Sequence, residues 1–164
     1  MKVSITNILF ATSLSPSMKF AMCYAAELAR MTNAEIHVLH VIEPLSDDAR
    51  VTLEMFVLNS STRKQALERR ADMQKQVLNQ RQDEFWDAVE AEDKHVRDRI
   101  TSMEVIEGNP ADVILRRAKE LGCDMIVMGA HDHAFTHTFL GTVSKRVLRR
   151  SNIPTLIVPH PKTP

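Results

Sequence analysis

Five short runs of β-branched and apolar residues recur along the chain, and the stretches between them carry the three-to-four-residue period of helices. Strands separated this way do not close as hairpins. They pair in parallel, with each helix serving as a crossover, so the pattern predicts an α/β fold: an open, Rossmann-like parallel sheet with helices on both faces. The runs are Thr6 to Thr12, Glu35 to Ile42, Ser102 to Glu107, Asp124 to Met128 and Ile153 to Val158, the last with Pro154 near its start and therefore placed at an edge. Ser15-Pro16 offers an N-cap and a first-turn proline for a helix running to about Met31, with Ala21, Ala25 and Leu28 on one face and Asn33 turning the chain out. Asn109-Pro110-Ala111-Asp112 repeats the same signal for a helix that runs to Leu121 and stops at Gly122. A further helix is expected over Thr142 to Arg150, and the tail after Pro159 is short and expected to be mobile.

One segment breaks this rhythm. Residues 45–107 hold neither glycine nor proline, so helix fills most of the space between the second and third strands. Asn59-Ser60-Ser61-Thr62 is a break, with Thr62 and Gln65 spaced as a capping box; it divides a short helix near Asp48 to Leu58 from a long one over Arg63 to Val96. Leu67, Ala71, Leu78, Phe85, Val89 and Val96 step by four or seven and keep one apolar stripe on that long helix. The plainer reading is a long crossover helix packed on the sheet; about 34 residues make about 50 Å of helix, longer than a small sheet is wide, and the sharper alternative is that an end projects toward a partner. Phe85 and Trp86 are adjacent and do not share one inward position, so packing of one of them against a second subunit stands as an alternative to both serving the core. The domain reading is a single unit over residues 1–164, with 46–100 as a helical insertion.

Composition narrows the class. The chain has 164 residues, 44% of them hydrophobic, which is enough for one well-buried core. Lys plus Arg and Asp plus Glu are both 21, so no global field draws it onto nucleic acid or an anionic membrane. No apolar run reaches the roughly 18–20 residues of a spanning helix and no cleavage-site pattern follows the first apolar run, so the expected location is the cytoplasm. Cys23 and Cys123 lack metal-ligand spacing and read as small apolar residues. His131, His133 and His137, with Asp132, have a spacing that suits Zn²⁺ or Ni²⁺, against the plainer reading of solvated loop residues. Lys145, Arg146, Arg149 and Arg150 read as a solvated basic face complementing the negative end of the last helix rather than as a nucleic-acid site. His37 and His40 read as structural or near-surface residues of the second strand.

In an open parallel sheet ligands bind beyond the carboxyl ends of the strands. Those ends are Ala11-Thr12-Ser13, Val41-Ile42 and Met128-Gly129, joined by Gly141-Thr142-Val143-Ser144 at the start of the last helix. Glycine at 141 allows close approach, and the first-turn N–H groups at the positive end of a helix suit phosphate.

With these residues in place, the chain resembles the universal stress protein family. ILFATSLSP is similar to that family's first strand and loop, EIHVLHVIE to its second strand, EGNPADVILRRAKELGCDMIVMGAH to its third helix and fourth strand, and GTVSKRVLRRSNIPTLIVP to its closing helix and strand. The resemblance covers nearly the whole chain outside the enlarged segment 46–100. It implies strand order 3-2-1-4-5, a homodimer through the fifth strand and, in one branch of the family, ATP at the strand ends. That branch carries Gly-x2-Gly-x9-Gly-[Ser/Thr]; here Gly129, Gly141 and Thr142 match, Asp132 replaces the second glycine, and the spacing is one residue shorter. Ser13 stands where family members often use an acid to hold ribose. Carried over residue by residue, the resemblance implies adenine against Val41, ribose near Ser13, and phosphates, with Mg²⁺ between them and Asp132, on Gly129, His131, Gly141, Thr142, Val143 and Ser144. Ala11, Thr12 and Met128 complete the strand-end walls. No Walker lysine, nucleophile elbow or zinc-protease motif accompanies them, so the expected role is regulatory binding, with slow ATP hydrolysis as the most that chemistry allows. The alternative is a dimeric stress-protection protein, with an unidentified protein partner, that has lost nucleotide binding.

Overall fold

The computed structural model describes residues 1–130 and 140–161. Its elements run in the order β1 (Asn7–Ala11), α1 (Met18–Thr32), β2 (Glu35–Ile42), α2 (Asp47–Phe56), α3 (Ser60–Ala88), a 3-10 helix (Lys94–Arg99), β3 (Ile100–Glu107), α4 (Pro110–Glu120), β4 (Met125–Gly129), α5 (Thr142–Arg150) and β5 (Thr155–Val158). The five strands form one sheet in the order β3-β2-β1-β4-β5, parallel throughout, as the alternation and the resemblance lead one to expect.

The two-residue period of the central strand divides the interior into two apolar cores. Ile8 and Phe10 point to one face, where α1 and the end of α3 supply Met22, Ala25, Leu78 and Trp86. Leu9 and Ala11 point to the other, which α4 and α5 cover with Ile114, Ala118 and Val147. Strand β1 is locked to β4 by a carboxylate. Asp124 Oδ2 accepts from Thr6 N and Thr6 Oγ1, each at 2.7 Å, and from Asn7 N at 3.0 Å, while Asp124 N returns a bond to Asn7 O. The Thr6 hydroxyl and backbone donors, with the Asn7 amide, hold this carboxyl below the usual aspartate range.

Helix α4 follows its sequence signal closely: the Asn109 side chain accepts from Asp112 N, Pro110 opens the helix, and Gly122 ends it with φ +62°. Asn33, at φ +61°, ends α1 in the same left-handed conformation. The start of α1 differs from expectation. Ser15 and Pro16 lie in a turn, and the helix begins at Met18, because the hydroxyls of Ser13, Ser15 and Ser17 bond to one another at 2.8 and 2.7 Å instead of capping the helix. Strand β3 begins two residues earlier than expected, at Ile100, and a register shift just after it leaves Thr101 unmatched; His37 Nδ1 lies beside the irregularity, 2.8 Å from Ser102 Oγ and 3.2 Å from Thr101 Oγ1. This is the structural role foreseen for His37.

The helices between β2 and β3 depart most from expectation. Helix α3 begins at Ser60, capped by Asn59 rather than Thr62, and ends at Ala88 instead of continuing to Val96. Val89 is extended, and the chain doubles back so that Val96, on the 3-10 helix, turns into the core and Arg97 pairs with Asp83 of α3. Continuing the helix would have carried Val96 past the sheet edge instead. The expected apolar stripe is therefore buried only from Leu78 onward; Leu67 stays 38% exposed. Phe85 and Trp86 correct the two-surface expectation. Both are buried in the same core, packed edge to face with centroids 4.9 Å apart. The indole N–H donates to Gln82 Oε1 at 3.2 Å, so Trp86 turns along the helix while Phe85 points inward, and neither is left for a second subunit.

Candidate functional site

The carboxyl ends of β1, β2 and β4 open into one cavity of about 400 Å³, within the size range of small-ligand sites. Its floor comes from Ala11, Thr12 and Ser13 after β1, Val41 near the end of β2, and Met128 and Gly129 closing β4; its far wall is the first turn of α5, Gly141 to Ser144. Every residue the resemblance implied therefore borders a single space, except His131, which lies outside the described residues. Asp132, His133 and His137 lie outside them too, and among the described residues no cluster of three metal-ligating side chains occurs.

The α5 end follows from its local sequence. Gly141 is the N-cap, with φ −69° and ψ 167°, a conformation open to any residue, and its side chain supplies no cap. The N–H groups of Thr142, Val143 and Ser144 have no acceptor within their own helix and sit at its positive end. Gly141 N donates to Ala130 O at 2.7 Å, which draws this turn onto the end of β4. Ser144 is buried, and its hydroxyl donates to Gly129 O at 3.0 Å and Ala130 O at 3.1 Å. Its oxygen is thus committed to fixing the turn against the strand, so what Ser144 offers an anion is its amide, and the free-hydroxyl role falls to Thr142. At the other end Ser13 Oγ opens the serine chain that runs on to Ser15 and Ser17. Hydroxyls linked in this way rotate together and present either a donor or an acceptor at Ser13.

Several lining residues escape sequence reasoning, and the chief of them are His40, Phe20 and His160. His40 borders the cavity while its Nδ1 lies 2.9 Å from Thr12 O and its Nε2 3.0 Å from Gln74 Oε1 of α3. Phe20 and His160 close the β5 side, ring edge to ring face with centroids 5.3 Å apart, so the first residue of the expected tail meets α1, while residues 162–164 lie outside the described residues. A histidine beside Val41 was the available signal for the first. Nothing local marks the other two, because they meet only when α1 and β5 lie side by side. In the basic group on α5, Arg150 pairs with Asp112 of α4 at 2.5 Å and so braces two helices. The cavity walls combine apolar surface from Val41, Ile114 and Met128 with backbone donors at the α5 end. That division suits a ligand with a flat apolar part and an anionic part.

No described helix is long and apolar enough to cross a membrane. The family model described as the universal stress protein family matches residues 4–159. Universal stress protein MJ0577 of Methanocaldococcus jannaschii is 23% identical over 159 residues, covering 96% of this chain and 97% of that protein. Its solved structure superposes with a TM-score of 0.66 at 21% identity, over 98% of this chain and all of the other. A universal stress protein solved in complex with cAMP superposes at 0.59 and 20% identity, over 96% and 99% of the two chains. Likeness at that identity speaks for the fold alone, but a family model spanning the five strands and the cavity does more: this chain belongs to the universal stress protein family.

Proposed function

We propose that this protein is a cytoplasmic stress-response regulator that binds an adenine nucleotide, ATP or AMP, in the strand-end cavity without turning it over efficiently. The observation that carries this reading is the convergence of the α5 first turn with the ends of β1, β2 and β4 on one space that is apolar at one end and lined by amide donors at the other. A relative with the same fold, solved in complex with cAMP, adds support. The base lies against Val41 with Ile114 and Met128 beneath it, the ribose near Ser13, and the phosphates on Gly129 and the amides of Thr142, Val143 and Ser144. Mg²⁺ comes with the phosphates in this reading, paired with Asp132, which lies outside the described residues; among the described lining residues Glu43 is the one carboxylate. The same proposal includes a homodimer through β5, whose outer edge has no neighbouring strand within the described sheet and carries Leu156 and Ile157 half-buried.

Calorimetry on protein stripped by unfolding and refolding, with ATP in the presence and absence of Mg²⁺, tests the site. Micromolar binding is expected, weakened at least about tenfold by Gly141→Val, which adds bulk to the cavity wall at a residue whose backbone tolerates a side chain. No heat up to millimolar ATP from folded protein refutes the nucleotide reading.

A further inference from the structure

The helices α2 and α3, between β2 and β3, are held largely at their C-terminal end. No residue from Asp47 to Val77 is buried, and none belongs to either apolar core. Helix α2 has no buried residue at all, and α3 reaches the interior only at Leu78. Helix α2, ten residues long, is too short to persist on local hydrogen bonds alone, and residues 60–77 of α3 run out beyond the part of that helix packed in the core, so the placement of both depends on what ties them down. Among the described residues, two hydrogen bonds join this 31-residue stretch to the sheet side of the molecule. Arg70 Nη2 donates to Glu43 O at 2.9 Å, and the Gln74 amide meets His40 Nε2 at 3.0 Å. The second guanidinium nitrogen of Arg70 is buried without a hydrogen bond, 3.9 Å from Glu107 Oε2, so it reinforces the first tie only weakly.

Both ties land on the cavity. His40 and Glu43 line it, and the other nitrogen of His40 holds Thr12 O, in the loop where β1 enters the same space. Thr12 O accepts only, so Nδ1 carries the proton it receives; Gln74 presents either its oxygen or its nitrogen to Nε2, and the bridge is satisfied in either ring state. A ligand against Val41 and Ser13 immobilises the two strand ends that His40 spans, and through Gln74 that constraint reaches an element with little else to hold it. We infer that His40 and Gln74 are positioning residues that couple the strand-end cavity to the α2–α3 insertion, so that an adenine nucleotide in the cavity orders residues 47–77 and presents them in a fixed pose. This rests on the nucleotide reading above and adds the output of the site to it. Exposed Met55, Phe56, Leu58 and Met73 are the side chains whose pose the ligand then sets. Segments of low local stability are where such coupling has most effect.

Hydrogen exchange on the full chain, with and without saturating Mg·ATP and with binding followed in parallel by calorimetry, tests the inference. Amides of residues 60–77 are expected to slow at least about fivefold on ligand addition, the lower end of ordinary coupling between sites. Gln74→Leu is expected to abolish that slowing while still binding ATP, and Gln74→Glu, which keeps a polar partner for His40, to restore it. Gln74 lies outside the cavity lining, and its far-UV spectrum and melting temperature report whether the variant is folded. Binding heat with protection confined to the strand ends and α5 overturns the coupling and leaves the nucleotide site standing. So does a Gln74→Leu protein whose insertion still responds. Absence of heat from the unsubstituted protein overturns both.

Discussion

Trp86 and Gln82 form a buried polar pair inside an otherwise apolar core, and breaking that pair is the most quantitative test of how α3 is anchored. The indole N–H donates to Gln82 Oε1 at 3.2 Å, and both side chains are 2% exposed or less. Trp86→Phe keeps an aromatic ring but strands the Gln82 oxygen away from water, at about 1–1.5 kcal/mol, and leaves a small cavity worth about 1 kcal/mol more. Gln82→Met preserves shape and strands the indole N–H, at about 1–1.5 kcal/mol. Added as independent changes, the two cost about 3–4 kcal/mol. The double variant removes both polar atoms together and retains only the cavity, so it is expected to lose about 1 kcal/mol and to be more stable than Trp86→Phe alone. For a chain of this size that difference is roughly 2–6 °C in Tm. Urea unfolding of all four proteins measures the cycle, followed by circular dichroism because Trp86 is the only tryptophan. Costs that add within about 0.5 kcal/mol would refute the pairing and mean that Gln82 finds its partner elsewhere.

Asp124 supplies an acid-side prediction. Its folded carboxyl titrates below the unfolded value of about 3.9, so its contribution is complete above that pH and is lost as pH falls through the lower folded value. Asp124→Asn should therefore lower stability at pH 6 and flatten the fall between pH 5 and 3, read from urea midpoints at each pH; an unchanged acid limb would show that the carboxylate is not held by Thr6 and Asn7. At Gly108 an added Cβ would stand 2.7 Å from Val113 Cγ2, a buried β-branched side chain with little freedom to move. Gly108→Ala should cost about 1–3 kcal/mol by thermal melting, and a variant as stable as its parent would mean that α4 shifts without cost.

Wherever the determining signal is local, structure and sequence agree closely. EIHVLHVI forms β2 over the eight residues expected of it, Asn109-Pro110 opens α4 beside its own cap, and Thr142 to Arg150 is helical throughout. The boundaries of β2 and α4 are set by residues within two positions of them, through a cap, a proline ring or a left-handed turn. The end of α3 carries no such punctuation. Nothing between Val89 and Arg99 stops a helix locally, and it ends because burying Val96 and pairing Arg97 with Asp83 outweigh continued helical bonds. Phe85 and Trp86 were illegible for a related reason: whether adjacent side chains share a core depends on how the facing surface is shaped, which helical period leaves open.

The cavity divides in the same way. Its position and most of its wall were legible because a parallel sheet gathers every strand's carboxyl end on one side, whatever the connecting helices do. Which additional groups reach it was not. His40 meets Gln74 across 34 residues of chain, Arg70 meets Glu43 across 27, and Phe20 meets His160 only where α1 and the end of β5 pack together. The sequence alone thus determined the α/β order, the helix starts that carry their own caps and the side of the sheet on which a ligand would sit. Only the tertiary structure decided where the long helix ends, which half of it is anchored, and that the unanchored half is tied to the cavity rim, because contacts between distant residues depend on packing that no short stretch of sequence encodes.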